Sequence, residues 1–518
     1  MSQALMSCLT RCLFICLLTS FAVANIWADE HDKLDVIVQI SKNKGTVYEL
    51  FKDISAQSGF FFIYDSQIID NDKKVKITKG KYTLREAIYL IAENKNLQID
   101  LSGEYILLRL PGKKAPVKKD ENITEKETHI TFGGRLFDRE TSDAVAFASI
   151  GVLNTSIGTI TNLDGGFQLV VPDTMQNLKV RLSHIGYKSR EIDISILEDV
   201  FVDIEMIPQV VSLSEVVVKA VNPVSAINEM LKNRESNYDA DPAQLTTFYR
   251  EGIDHNNMNT DLTESILQVY KTGYDKKVTN DRVKLIKKRR IVNRAETDTI
   301  FPKMRSGINS CLILDIIKEL PEFINPNQTS QYKYSYKGKS VIDNRMVNII
   351  SFMQKDEISE PLYMGELFIE EGNKALVEVR FEMNPKYANQ ATNMYIDKKA
   401  AGLRINLRQA QYILSYKLSD NGKYYINHVR GDIQFRIRQK KSLSFSSLNF
   451  WFEMVTCEIQ KNDIKAFPRN ERLSPNHIFS ETKHEYDKDF WENFNVILPE
   501  EKLKDDIIRS LNDAIIMK

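Results

Sequence analysis

The feature that most constrains the fold is a stretch of short strands and turns between residues 130 and 219. Apolar and polar residues alternate there over short runs, and no apolar pattern of helical period interrupts them. Short strands separated by frequent turns are typical of a β-sandwich. The sequence therefore predicts a sandwich of the seven-stranded type, with strands at 147–152, 167–171, 178–182, 192–194 and 200–204.

A segment rich in turn residues lies between two of these strands. Asn162, Asp164 and Gly165 stand together in TNLDGG. A calcium loop of the EF-hand type would need an acid at position 160 and a glutamate at position 171, where the chain has Ile160 and Val171. Because Asn, Asp and Gly tolerate the left-handed backbone of tight turns, we predict a hairpin turn here and no metal site.

The same region resembles the carboxypeptidase-regulatory-like domain. The resemblance is carried by GRLFDRETSDAVAFASIGVLNTSIGTITNLDGGFQLVVP and by VRLSHIGYKSREIDI. Residues typical of the family stand at Gly158, Thr159, Thr161, Gly165, Phe167, Ile185, Gly186 and Tyr187. The resemblance implies a transthyretin-type sandwich that hydrolyses nothing. In Bacteroidetes the family commonly precedes outer-membrane TonB receptors, and residues 213–218 are similar to the segment that follows it there.

Residues 35–110 repeat the order strand, helix, strand twice. Apolar residues three or four positions apart indicate a first helix after Gly45-Thr46, and Thr83 with Glu86 forms a capping box that begins a second. The whole unit resembles the secretin and TonB short N-terminal domain, which is small and periplasmic. The resemblance implies a βαβ-βαβ domain without catalytic residues that binds other proteins, in some receptors an anti-sigma regulator.

The N-terminus is typical of a secretory leader. Arg11 precedes a short apolar run, and small residues offer cleavage after Ala24 or Ala28. A membrane anchor is the alternative, but polar residues interrupt the run, which is short for a span of about 20 apolar residues. We therefore predict a signal peptide in residues 1–28 and no transmembrane helix after its removal. Residues 111–129, rich in lysine and glutamate, are predicted to be a charged linker.

Residues 223–518 are predicted to form a mainly antiparallel β region with a few helices. Strict alternation in 377–383 and the turn signal Asn421-Gly422 indicate the strands. Helices are expected at 223–236, at 312–320 and after Pro499. The region lacks the regular strands of a receptor barrel. The stretches NYDADPAQLTTFYRE, NGKYYINHVRGDIQFRIR and YDKDFWENFNVILPEEKL resemble a family of uncharacterised exported proteins of Bacteroidetes. MGELFIEEGNKALVEVRFEMNP is similar to lipoprotein-carrier half-barrels. The chain as a whole is expected to be an α+β multidomain protein.

Composition and motifs favour binding over catalysis. Basic and acidic residues number 70 each, whereas nucleic-acid binders usually show a basic excess. The chain has neither a nucleophile elbow nor a complete phosphate loop. Cys311 and Cys457 stand in apolar surroundings and are predicted to be buried thiols, although the sequence leaves open whether they pair. We therefore predict no catalytic residues, no cofactor and no metal.

Aromatic side chains are the remaining candidates for a site. Tyr424, Tyr425, Trp451 and Trp491 are predicted to line a ligand groove, with packing in a core as the alternative. The leading hypothesis is a non-catalytic exported protein of the periplasm or the periplasmic face of the outer membrane. It would bind envelope proteins, such as an anti-sigma regulator or a TonB-system component, or a ligand, in TonB-related signalling or uptake. One alternative is a lipid or lipoprotein carrier with an apolar cavity, and a second is a hydrolase.

Overall fold

The computed structural model describes most of the chain from residue 33 onwards. The described residues are 33–64, 68–70, 73–102, 105–111, 129–197, 201–211, 221–292, 303–398, 402–440, 444–474, 479, 482, 494–501 and 503. The predicted signal peptide, nearly all of the predicted linker, residues 213–218 and the helix expected after Pro499 lie wholly or mostly outside them. The chain divides into two compact units, one of which contains residues 33–111 and the other residues 129–197 and 205–503. No helix among the described residues is long and apolar enough to cross a membrane.

The described part of the first unit combines two α-helices with three small sheets. The strand orders are β1-β5, β2-β4 and β3-β7-β6, and β3 is parallel to β7. The capping box predicted at Thr83 and Glu86 is confirmed, and Thr46 with Glu49 forms a second one at the first helix. The elements are β1 (Ile37–Ile40), β2 (Lys44–Thr46), α1 (Val47–Ser58), β3 (Phe61–Tyr64), β4 (Lys74–Lys76), β5 (Gly80–Thr83), α2 (Leu84–Ile91), β6 (Gln98–Ser102) and β7 (Tyr105–Arg109).

The second unit begins with two four-stranded sheets. Their strand orders are β10-β9-β12-β14 and β11-β8-β15-β13. The inward residues of both sheets are apolar and buried, as in a sandwich. The strands are β8 (His129–Asp138), β9 (Ser149–Val152), β10 (Gly158–Ile160), β11 (Gly166–Pro172), β12 (Lys179–Ser183), β13 (Tyr187–Lys188), β14 (Arg190–Asp193) and β15 (Phe201–Pro208).

The turn at Asn162, Asp164 and Gly165 is not part of a hairpin. β10 pairs with β9 and β11 pairs with β8, so this turn carries the chain from one sheet of the sandwich to the other. The Asn162 carboxamide oxygen accepts the backbone N–H of Asp164 and of Gly166, at 3.0 and 2.7 Å. Gly165 adopts φ of 77°, and a Cβ there would lie 2.2 Å from the carbonyl oxygen of Leu136. The hairpin prediction was wrong because turn residues mark a reversal without specifying which strands pair.

The rest of the second unit is dominated by a ten-stranded antiparallel sheet, ordered β18-β17-β16-β27-β26-β25-β23-β22-β21-β20. This confirms the prediction of a mainly antiparallel β region with a few helices. The strands are β16 (Ala243–His255), β17 (Met258–Lys271), β18 (Arg282–Val292), β20 (Tyr332–Ile342), β21 (Arg345–Gln354), β22 (Tyr363–Glu370), β23 (Leu376–Met383), β25 (Leu403–Leu418), β26 (Tyr424–Gln439) and β27 (Ser446–Gln460). The two-stranded pair β19 (Lys303–Met304) and β24 (Ile396–Lys398) stands apart from it.

Short helices accompany the large sheet. They are α3 (Pro223–Lys232), α4 (Arg234–Asn237), α5 (Gly307–Ile313) and α6 (Thr392–Tyr395). The helix expected at 312–320 lies earlier, because Ser306 caps it by accepting the backbone N–H of Asn309. The chain leaves the helix after Ile313 and continues in turns.

Each face of the large sheet has a distinct character. We call the face that bears Phe352, Phe381, Tyr412 and Phe452 the apolar face, since these side chains belong to the main core. We call the opposite one the sandwich face, because it carries Phe248 and Val455, which pack on Ile160 of the sandwich.

Candidate functional site

A row of aromatic residues crosses the apolar face. From β20 to β27 the cross-strand partners in this row are Tyr334, Phe352, Gly365, Phe381, Tyr412, Gly431 and Phe452. The glycines make room for rings: a Cβ on Gly431 would lie 2.4 Å from the Phe452 ring, and one on Gly365 would lie 2.7 Å from the Cβ of Phe381. The row is therefore a continuous aromatic surface across seven neighbouring strands.

Residues 304–324 lie over this row, and we call them the cover segment. Phe323 stacks on Phe352 with 4.3 Å between ring centroids and packs against Phe381 at 5.2 Å. The buried residues of the segment are Met304, Ser306, Gly307, Ile308, Cys311, Leu312, Asp315, Ile316, Ile317, Lys318, Phe323 and Ile324. The cover segment thus packs on Phe352, Phe381 and Phe452 of the row, and it does so with α5, turns and no strand longer than two residues.

Two buried ion pairs fix the middle of the cover segment to β17 and to the segment before β18. The Lys271 ammonium lies 2.5 Å from Asp315, and the Lys318 ammonium lies 2.6 Å from Asp281. Burial disfavours the charge of Lys271, but Asp315 and Asp281 outweigh it and raise the pKa of this lysine. Burial, together with nearby Lys271, lowers the pKa of Lys318. The four side chains form an ionic network inside an otherwise apolar layer.

Tyr416 connects this network to the sheet. Its hydroxyl donates to Asp315 at 2.9 Å and accepts the backbone N–H of Ile317 at 3.3 Å. Thr272 adds two hydrogen bonds to Asp281, from its backbone N–H at 2.8 Å and from its hydroxyl at 2.7 Å. These hydrogen bonds therefore fix the positions of Asp315 and Asp281, the two carboxylates that pair with the lysines of the network.

A buried carboxylate lies beside the N-terminal end of the cover segment. The Tyr249 hydroxyl donates to Glu251 at 2.5 Å, and Gly307 packs so closely that a Cβ on it would lie 2.1 Å from that hydroxyl. Burial is the main cause that raises the pKa of Glu251 to about 7. Burial also raises the pKa of the nearby Cys311 thiol, which suits packing better than nucleophilic attack.

The sandwich face carries a second buried ionic network. Glu453 accepts Arg250 Nε at 2.9 Å and lies 2.8 Å from His428 Nε2. Arg430 adds a contact at 3.5 Å to the same carboxylate, and its guanidinium, like that of Arg250, lies over the Trp451 ring at 5.4 Å. Burial opposes ionisation of Glu453, but Arg250 and Arg430 hold its pKa far below the usual range.

The C-terminal residues join this network to the sandwich. Glu500 lies 2.8 Å from the Arg250 guanidinium. The Asn495 side chain accepts the backbone N–H of Val170 at 2.7 Å and donates to its carbonyl at 3.0 Å. The Asn162 amide donates to the carbonyl oxygen of Leu498 at 3.1 Å. The turn that the sequence presented as a possible site therefore serves as a contact between the sandwich and residues 494–501.

The structure does not bring the predicted groove residues together. Tyr424 is buried in the core of the apolar face and donates to Glu370. Trp451 belongs to a separate cluster on the sandwich face with Leu262 and Leu503. Tyr425 is half-buried, and Trp491 lies outside the described residues.

The turn at Asn421 and Gly422 joins β25 to β26. Gly422 adopts φ of 77° and donates its backbone N–H to the Ser419 carbonyl at 2.9 Å. The Asn421 amide also donates to Asp239 at 3.2 Å. This turn holds two long strands together and takes no part in the aromatic row.

The thiols and acids of the described residues form no metal-binding group of three or more. Cys311 and Cys457 are both buried and free, which confirms the prediction of buried thiols. Cys457 lies in the layer between the sandwich and the sheet, and burial raises its pKa to about 12.

Comparisons with known proteins give one clear match. A search of curated proteins finds none similar to the chain. Solved structures with partial likeness include an outer membrane lipoprotein-sorting protein domain from Vibrio parahaemolyticus, with 9% identity, 48% of this chain and 96% of that chain covered, and a TM-score of 0.20. A DUF1329 family protein from Desulfovibrio piger ATCC 29098 has 8% identity, the same coverages and a TM-score of 0.19. Lipovitellin has 9% identity, covers 44% of this chain and 27% of its own, and has a TM-score of 0.23.

TM-scores this low carry no argument about fold or function. The family model for the CarboxypepD_reg-like domain matches residues 132–218. That match agrees with the paired four-stranded sheets, in which Phe167, Leu169 and Val171 of β11 are buried. Residues 132–218 are therefore a carboxypeptidase-regulatory-like domain.

Proposed function

We propose that this protein binds a lipid or lipidated molecule non-catalytically, on the apolar face of its large sheet, in the bacterial cell envelope. The single observation that carries the proposal is the attachment of the cover segment. It lies over a continuous aromatic row, yet a buried ionic network, and not apolar packing alone, holds it there.

The energetics of buried ions support a cover that can open. Taking charges out of water costs several kcal/mol per ion, and apolar residues of similar volume are often as stable or more so. When the cover segment lifts, Lys271, Asp281, Asp315 and Lys318 regain their hydration, which offsets part of the lost attraction. A core that stays closed gains nothing from buried ion pairs, whereas the open state of a displaceable cover segment is stabilised by the hydration of their charges.

The chemistry of the row supports an apolar occupant. Phe323 already inserts between Phe352 and Phe381, so an acyl chain could take its place without exposing a polar group. The row runs across seven strands about 4.8 Å apart, so it spans roughly 29 Å. That length suits an extended acyl chain better than a compact polar ligand.

The rest of the chain agrees with a role in carrying such a ligand within the cell envelope. The leader expected in residues 1–28 would export the protein to the periplasm or the periplasmic face of the outer membrane. Residues 35–110, which resemble the secretin and TonB short N-terminal domain, would supply the docking module. A role in TonB-related signalling stays a prediction that rests on this resemblance.

The experiment is recovery and exchange of an apolar ligand. The full-length protein, purified from envelope fractions, is extracted with organic solvent for mass spectrometry, and uptake of the uncharged fluorophore N-phenyl-1-naphthylamine is followed. We expect co-purifying lipid in the wild type and faster fluorophore uptake in Asp315→Asn, because this substitution leaves the Lys271 ammonium buried without its carboxylate and so destabilises the closed cover segment.

The matched control is Asp356→Asn, which removes an exposed carboxylate that lies 2.5 Å from Lys333. It should take up the fluorophore at the wild-type rate. A folded Asp315→Asn protein that neither retains lipid nor binds the fluorophore would contradict the proposed function.

A further inference from the structure

Four arginines cluster on the sandwich face at the end of β25 and β26 that lies farthest from their connecting turn. They are Arg404, Arg408, Arg436 and Arg438, and we call them the arginine patch. Arg404 stands directly opposite Arg438 in the register, and Asn406 stands opposite Arg436. Arg408 is the extra residue of a β-bulge between Leu407 and Gln409.

No member of the patch has a carboxylate partner among the described residues. This contrasts with Arg250 and Arg430 on the same face, which share Glu453. Like charges directly opposite each other on neighbouring strands destabilise a sheet. In addition, the Nε of Arg438 is buried and has no hydrogen-bond partner among the residues that the structure describes. The patch therefore has donors and positive charge that the described part of the chain leaves uncompensated.

A cavity of about 400 Å³ adjoins the patch. Arg408, Arg436, Phe445 and Asn449 are among the residues that line it. Asp254, the one acid among its described lining residues, accepts hydrogen bonds from the amides of Asn259 at 3.0 Å and Asn449 at 3.4 Å. The carboxamide oxygen of Asn449 is buried without a partner. The cavity thus offers mainly guanidinium, hydroxyl and amide groups.

An exposed aromatic ring stands among the arginines. Phe445 is 45% exposed, and the guanidinium of Arg436 lies 3.6 Å from its ring centroid, with that of Arg438 at 5.0 Å. Stacking fixes the plane of Arg436 but leaves the N–H groups at its edge free for an oxyanion. An apolar ring flanked by cations suits the boundary between headgroups and acyl chains of a membrane.

We propose that the arginine patch binds the phosphate groups of anionic phospholipids at a membrane surface, with Phe445 entering the headgroup region. The proposal uses residues on the face opposite the aromatic row, so it stands independently of the proposed ligand site. It specifies how the protein would meet the membrane and which part of the surface faces it.

The experiment is co-sedimentation of the full-length protein with vesicles of phosphatidylcholine, with and without phosphatidylglycerol, at two salt concentrations. We expect binding to the anionic vesicles alone, weakened by salt. The fourfold variant with Arg404, Arg408, Arg436 and Arg438 changed to Gln should bind at least about tenfold more weakly. The matched control changes Lys179, Lys276, Lys333 and Lys461 to Gln, which alters net charge equally, and it should bind like the wild type.

Two further measurements keep the outcome decisive. Phe445→Ser should weaken vesicle binding while circular dichroism shows an intact fold. Inorganic phosphate at equal phosphate concentration should compete poorly; if it displaces vesicles completely, the site takes free phosphate and the membrane proposal is overturned. Equal binding to neutral vesicles, or equal binding by the fourfold variant and the control, would also overturn it. Fluorophore uptake should be unchanged in the fourfold variant, which separates this proposal from the proposed function.

Discussion

The two faces of the large sheet both bury charges, but with different cations. On the sandwich face, Arg250 and Arg430 share Glu453, and the sandwich closes over them. On the apolar face, lysines hold the cover segment through Asp315 and Asp281. An arginine fork keeps its charge and orients its partner, whereas a lysine ammonium is a hydrated point charge on a flexible stem.

This difference between the two networks distinguishes a fixed contact, between the sandwich and the large sheet, from a displaceable one, between the cover segment and the large sheet. The arginine network ties three segments that are distant in sequence, since Arg250 bonds to both Glu453 and Glu500. The lysine network ties the cover segment to β17 and to the segment before β18, and its charges would return to water if the cover segment opened. We infer that the sandwich and the large sheet behave as one body and that the cover segment is the part that moves.

The largest expected effect tests the fixed contact. Glu453→Gln leaves Arg250 and Arg430 buried without their shared anion, so the free energy of unfolding should fall by about 3–5 kcal/mol. Denaturant unfolding measures the loss. Glu191→Gln is the control, because its ion pair with Arg181 is exposed and should change stability by less than about 1 kcal/mol. Similar losses in the two variants would remove the distinction between a buried network and a surface pair.

The next effect concerns the carboxylate under the cover segment. Burial raises the folded-state pKa of Glu251 to about 7, above the unfolded value near 4.5. Its contribution to stability is therefore fully present below pH 4.5 and is lost as pH rises through 7, by about 3 kcal/mol at most.

Glu251→Gln should remove this dependence. Denaturant titration at pH 5 and pH 8 gives the unfolding free energy of each protein. The value for the wild type minus the value for the variant should be smaller at pH 8 than at pH 5. A difference that does not change with pH would mean that Glu251 titrates normally and is open to water.

A third, smaller effect tests the displaceable contact. Replacing Lys271 by Met and Asp315 by Leu together removes an ion pair and keeps the volume apolar, so stability should stay equal or rise by about 1 kcal/mol. Fluorophore uptake should nevertheless become slower, because opening no longer releases these charges to water. Faster uptake together with unchanged stability would show that this ion pair holds the cover segment closed and that hydration of its charges does not assist opening.

Sequence periodicity predicted the β-rich character of the second unit, because alternation is a local property of each strand. The capping box at Thr83 and Glu86 was equally readable, since its partners lie three residues apart. The pairing of Arg250 with Glu453 could not be predicted from the sequence. The two residues are 203 positions apart, and only the register of their strands brings them together. A usable signal did exist: a charged residue inside an aromatic strand, as in FYRE, implies a buried partner.

The helix boundary and the inter-sheet turn show the same limit. The apolar run at 312–320 has a helical pattern, yet α5 ends at Ile313, and Asp315 and Lys318 beyond it form ion pairs with residues distant in sequence. Asn162 has the chemistry of a turn, but its contact with Leu498 depends on a segment 336 residues away. Local chemistry identifies such residues, and only the packed structure identifies their partners.

The smallest expected effect is the change in unfolding free energy when one arginine of the arginine patch is replaced. Arg438→Gln removes a charge that stands opposite Arg404, and no carboxylate of the described residues pairs with either arginine, so stability should rise by about 0.5 kcal/mol at low salt. Because a Debye length of about 3 Å at 1 M salt screens exposed charges, the gain should vanish there. Thermal unfolding at low and high salt measures it. A loss of stability at low salt would mean that Arg438 already has a compensating anion in the folded chain.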